Sequence, residues 1–85
     1  MPYISLQQRI KFDDWLKELG HRIGSAGELN YCISVLCKHY TKHGGEPNYS
    51  KYNEIVGVLE CAKLEIYRRT ISGYEDKKCN EHGEI

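Results

Sequence analysis

The run from Asn53 to Arg69, Asn-Glu-Ile-Val-Gly-Val-Leu-Glu-Cys-Ala-Lys-Leu-Glu-Ile-Tyr-Arg-Arg, constrains the fold more than any other part of the chain. At about 3.6 residues per turn, Tyr52, Ile55, Leu59, Ala62 and Ile66 form one apolar stripe, and Val56, Val58 and Tyr67 widen it beyond a single face. A helix with this pattern is predicted to touch neighbours on two sides. Glu60, Lys63, Arg68 and Arg69 fall within the same turns, and charges bordering a wide apolar stripe call for a designated partner. That partner is internal, a ligand, or another subunit.

The rest of the chain reads as helices with the same spacing. Ser5 caps a first helix over about residues 5–23, in which Leu6, Ile10, Phe12, Trp15, Leu16, Leu19 and Ile23 recur every three or four positions. Gly20 is costly inside it and marks its fraying end, and Gly24 suits the position just past it. The sequence Ser25-Ala-Gly-Glu28 has the form of a capping box and starts a second helix, about residues 26–42, with Leu29, Cys32, Ile33, Leu36 and Tyr40 as its buried stripe. The segment His43-Gly-Gly-Glu-Pro47 cannot continue it. Asn48 to Ser50 offers caps for the third helix, about residues 50–70.

Beyond Arg69 the pattern weakens. Ser72-Gly73 permits a kink or break, leaving residues 73–85 as a short fourth helix or a charged arm. No alternating segment argues for a strand. The expected fold is therefore all-α, a three-helix bundle or a helical hairpin plus a crossing helix, in one helical domain over residues 1–85.

With 85 residues, 40% of them hydrophobic, the chain has room for one small core, and domains of this size commonly gain stability by self-association or by a bound ligand. A homo-oligomer is expected. Twelve basic and twelve acidic side chains cancel, so no overall field attracts a nucleic-acid backbone or an anionic membrane. A local basic patch can still hold a small anion through short-range hydrogen bonds. The N-terminal residues lack the apolar run of a signal peptide, and no segment approaches the roughly 20 apolar residues of a membrane span. These features predict an intracellular protein in which Cys32, Cys37, Cys61 and Cys79 are thiols.

The candidate chemistry clusters at the end of the third helix. Arg68 and Arg69 follow Tyr67, with Lys63 one turn earlier and Tyr74 a short distance on. A guanidinium grips phosphate through two parallel N–H donors and a tyrosine ring offers a face to a base, so the set suits a nucleotide-sized ligand. The alternative is that Arg68 or Arg69 pairs with Glu65, Asp76 or a neighbouring helix. Asn53 either caps the helix or presents its amide to the ligand. Glu28, Asn30, Tyr31, Asn53, Glu54 and Glu60 flank the stripes of the second and third helices and suit a structural network across them. His39 and His43, four apart, share a helical face near Cys32 and Cys37, which is not a strong zinc signature. Metal ligands and cofactors are accordingly expected to be none. A glycine-rich phosphate loop, a Gly-x-Ser-x-Gly elbow and a His-Glu-x-x-His motif are all missing, so the chain reads as a non-enzyme.

Glu28-Leu-Asn-Tyr31, Leu36-Cys37 with Tyr40, Asn53-Glu54 through Arg69, and Tyr74-Glu-Asp-Lys77 together resemble a family of small uncharacterised proteins of tailed phages and prophages. The likeness covers nearly the full chain. The family pattern has a proline where this chain has Gly73, and a terminal Gly-Asp-Val where this chain ends Gly83-Glu84-Ile85. The resemblance implies an accessory, host-interacting protein in the cytoplasm of an infected bacterial cell. By analogy of context it also implies an oligomer that sequesters a nucleotide-derived immune signal through Lys63, Arg68, Arg69, Tyr67, Tyr74 and Asn53. The alternative is an adaptor or inhibitor that docks on a host or phage protein through Trp15, Tyr3 and the C-terminal arm.

Overall fold

A hydroxyl and an amide side chain set where the helices begin. In a computed structural model that describes residues 4–83, the Ser5 Oγ accepts the Gln8 N–H at 3.2 Å while the Gln8 side chain takes the Ser5 N–H at 3.0 Å. This reciprocal cap opens α1, Leu6–Arg22. At α2, Ala26–Thr41, the Ser25 Oγ accepts the Glu28 N–H at 3.1 Å. Glu28 reaches one residue further back than a capping box requires, taking the Gly24 N–H at 2.6 Å. The Asn48 Oδ1 accepts the Lys51 N–H at 2.9 Å and so caps α3, Tyr49–Ile66.

The described residues are helical apart from the connections, and contain no strand. The chain is therefore all-α. It divides into two units, one ending at Tyr52 and the other beginning at Asn53.

In the first unit a short connection joins α1 to α2. Ile23 closes α1 with its N–H on the Leu19 carbonyl, and Gly24 passes the chain directly into the α2 cap. Gly20 lies within α1 and does not mark its end, because the helix runs two residues further. At the far end of α2 the Thr41 hydroxyl donates to the Lys38 carbonyl at 2.8 Å. Thr41 is the one buried polar residue among those described. Gly44 and Gly45 then take φ values of 88° and 137°, a turn that a side chain would strain. Across this turn the Lys51 ammonium lies 4.5 Å from the centre of the Tyr40 ring, joining the start of α3 to the end of α2.

The second unit is one continuous helical rod. After α3 the backbone widens into a π-helical turn, Tyr67–Ile71, where the Ser72 N–H reaches back to the Tyr67 carbonyl, and it resumes as α4, Ser72–His82. The kink or break that Ser72-Gly73 would permit does not fall there. The irregularity is taken up ahead of it, by the extra residue of the π-turn, and Gly73 itself keeps a negative φ. Of the two sequence readings for the last segment, the helical one holds as far as His82. Gly83, at φ 82°, ends it by donating its N–H to the Cys79 carbonyl at 2.7 Å.

The stripes predicted to be buried are open. No apolar side chain among the described residues is buried, and Leu29, Leu36 and Tyr40 of the α2 stripe are all exposed. Ile55, Cys61 and Ala62 are half-covered in the second unit, while Val56, Val58, Leu59 and Ile66 are exposed. The periodicity correctly marks which faces are apolar. Their burial requires contacts that neither unit supplies by itself.

Candidate functional site

The π-turn gathers the basic and aromatic residues singled out in the sequence. Glu65, in the last turn of α3, is the hub, with its side chain only 21% exposed. The Arg68 Nη2 donates to Glu65 Oε2 at 3.1 Å and to Oε1 at 3.3 Å. Arg69 donates through Nε to the same Oε1. Spacings of three and four residues place both guanidinium groups over one carboxylate, the arrangement expected of neighbours on a helix surface. Arg68 and Arg69 are thus held by Glu65, one of the partners the sequence offered.

Lys63 sits one turn earlier, its Nζ 3.0 Å from Glu60 Oε1. Tyr67 opens the π-turn and donates its hydroxyl to Glu75 Oε2 at 2.9 Å. That bond holds the phenol in its protonated form, and the negative charge of Glu75 adds to it, so the Tyr67 pKa is raised above its ordinary 10.0. Tyr74 is exposed on the first turn of α4, with the Lys78 ammonium 5.5 Å from its ring centre.

Five of the six predicted ligand residues therefore lie on or beside one turn of one rod. Asn53 does not. It stands in the second turn of α3, and at about 1.5 Å per residue it is roughly 20 Å along the helix from Arg68. Its capping role is also taken, because Asn48 supplies the cap. Of the residues foreseen for a polar network across α2 and α3, Glu28 bonds the Gly24 N–H within the α2 cap and Glu60 pairs with Lys63 on its own helix.

Two carboxylates carry more of this site than the sequence reading gave them. Glu65 organises both arginines, and Glu75 fixes Tyr67 from eight residues away. An eight-residue link crosses an extra π-helical residue, so regular helical spacing does not reveal it.

His39 and His43 are not on one helical face, since α2 ends at Thr41 and His43 lies beyond it. No group of three or more His, Cys, Asp or Glu side chains among the described residues is placed to hold a metal ion. Cys32, Cys37, Cys61 and Cys79 are free thiols. No helix of the described residues is long and apolar enough to cross a membrane.

A second surface lies in the first unit. Phe12, Trp15, Leu16 and Leu19 of α1, with Leu36 of α2, line an apolar groove, and a smaller depression continues from Leu19 past Ile23 to Tyr31 and Cys32. These residues were read from the sequence as core. Trp15 is 80% exposed and Leu16 57%. Tyr3 and Ile85, the other apolar residues of the docking alternative, lie outside the described residues.

The chain is all-α, with a paired-arginine turn in one unit and an apolar groove in the other. The chain belongs to the family described as Domain of unknown function (DUF6899), whose profile matches residues 1–85. No curated protein and no solved structure matches it.

Proposed function

We propose that this chain is a non-enzymatic accessory protein of phage type. It assembles with copies of itself and captures a small nucleotide-derived ligand, acting in the cytoplasm of an infected bacterial cell. The observation that carries the ligand reading is the grip of Arg68 and Arg69 on the single carboxylate of Glu65. A carboxylate held by two guanidinium groups occupies the place that a phosphate takes in arginine-based phosphate sites. The phosphate displaces Glu65, Lys63 adds a third cation one turn away, and Tyr67 or Tyr74 supplies a ring face for the base. Asn53 takes part only if contributed by another subunit, given its separation along the rod.

Titration calorimetry of the full chain against cyclic and linear nucleotides tests this reading. Binding in the micromolar range that is lost in Arg68→Ala/Arg69→Ala supports it. Absence of heat with every nucleotide at those concentrations rejects the ligand.

The exposed Trp15 groove favours a second reading, an adaptor or inhibitor that docks on a host or phage protein. Recovery of one stoichiometric partner from host extract, unaffected by the double arginine substitution, would select it.

A further inference from the structure

We propose that Lys77 joins Arg68 and Arg69 in a two-phosphate site, so that the ligand of the π-turn is a nucleotide whose phosphates stand on separate positions of its sugar. This inference rests on the reading of the paired arginines as a phosphate grip, and adds the class of ligand that the grip takes.

The π-turn decides which side chains share a face of the rod. Twelve residues of unbroken α-helix, at about 100° each, would leave Lys77 some 120° around from Glu65. The extra residue of the π-turn absorbs about 100° of that rotation and brings Lys77 to within roughly 20° of Glu65. The bond from Tyr67 to Glu75 reports the same shift independently. Those two residues would stand about 80° apart on an unbroken α-helix, and the same correction lines them up. Their 2.9 Å hydrogen bond requires that alignment.

Glu65, Arg69, Gly73 and Lys77 therefore run in one line along the rod, four residues apart at each step. Gly73 leaves the backbone bare between the two cations, and a Cβ built there would meet no heavy atom within 4 Å, so packing does not fill the space. Lys77 is exposed, and among the described residues no acidic side chain holds it. Lys78, about 100° further around, pairs instead with Glu81 at 3.5 Å.

Spacing along the line sets the ligand. Arg69 and Lys77 are eight residues apart, at most about 12 Å along the axis, and both side chains lean toward the start of the helix, so their heads stay well separated. One phosphate takes the place of Glu65 between the guanidinium groups, and a second meets the Lys77 ammonium over Gly73. Phosphates joined through one bridging oxygen lie too close together to reach both. Phosphates on the 3′ and 5′ oxygens of a ribose span the gap, and the sugar between them lies against the bare backbone at Gly73.

Titration calorimetry of the full chain with the 5′-monophosphates, 5′-diphosphates and 3′,5′-bisphosphates of the four ribonucleosides tests this. For the base that binds best, the bisphosphate is expected to bind about tenfold more tightly than either 5′ form, the factor that one added charge-assisted hydrogen bond supports. Lys77→Gln keeps a good helix former and should erase that advantage while monophosphate affinity stays nearly unchanged. Lys78→Gln removes the same charge from another face and should preserve it. A bisphosphate that binds no more tightly than the monophosphate or the diphosphate overturns the two-phosphate site and leaves the paired-arginine reading standing. So does an advantage that survives Lys77→Gln, or one that both lysine substitutions reduce alike, since net charge alone would then account for it. If no nucleotide of any kind binds, the phosphate grip and the two-phosphate site fall together.

Discussion

The Tyr67 hydroxyl donates to the Glu75 carboxylate at 2.9 Å, bridging the first residue of the π-turn and the first turn of α4. This bond spans the irregular segment without using its backbone, and thereby holds the rod in line where the helical ladder is widened. It also favours the protonated phenol, so the folded-state pKa of Tyr67 lies above 10.0. The unfolded value is the ordinary one. The contribution to stability is therefore complete below pH 10 and disappears as pH rises through the higher folded value. In an alkaline ultraviolet titration, one tyrosine should ionise later than the rest, and Tyr67→Phe should remove that late component. If the substitution leaves the titration curve unchanged in shape, the bridge to Glu75 does not persist in solution.

Ser25 supplies an oxygen to the Glu28 N–H at the start of α2, and nothing else in the cap replaces it. Ser25→Ala should cost about 1 kcal/mol in a denaturant melt, the usual loss for a serine cap. Amide hydrogen exchange at Glu28 should accelerate with it. Unchanged exchange at that amide would show that α2 begins elsewhere.

Glu65 holds two guanidinium groups, which are 66% and 62% exposed at their side chains. Exposed helical ion pairs contribute about 0.2–0.5 kcal/mol each, so Glu65→Gln should lower the melting point only slightly. Its effect on ligand capture should be larger and of opposite sense. An anion no longer has to displace a carboxylate from Arg68 and Arg69, so nucleotide affinity should rise in calorimetry. A fall in affinity would mean that Glu65 orients the arginines for the ligand and is not displaced by it.

The sequence made the elements legible because each start depends on local chemistry. Ser5, Ser25 and Asn48 cap within three residues of themselves, and a short window of sequence contains the whole interaction. The chain beyond Tyr67 was harder to read for a physical reason. Ser72 and Gly73 carry low helix propensity, but the rod continues through them because the π-turn and the link from Tyr67 to Glu75 carry it across. The candidate site was legible as a list of residue types near Arg68, though not as a geometry. Glu65 could be named as one acceptor among several, and only the structure assigns it both arginines. Apolar periodicity identified the apolar faces, such as those of Leu16 and Leu36, but it could not tell that α1 and α2 leave them exposed.

Gly20 gives a direct test of which side of α1 is free. It lies inside the helix, and a Cβ built there would meet no heavy atom within 4 Å. Five residues at about 100° each place it some 140° around the helix from Trp15, and four residues place it next to Leu16. Alanine is favoured over glycine by about 1 kcal/mol in a helix interior, so Gly20→Ala should raise stability by up to that amount. A denaturant melt beside the wild type measures the gain. Destabilisation on adding this one methyl group would place a closely packed neighbour on the Gly20 side of α1.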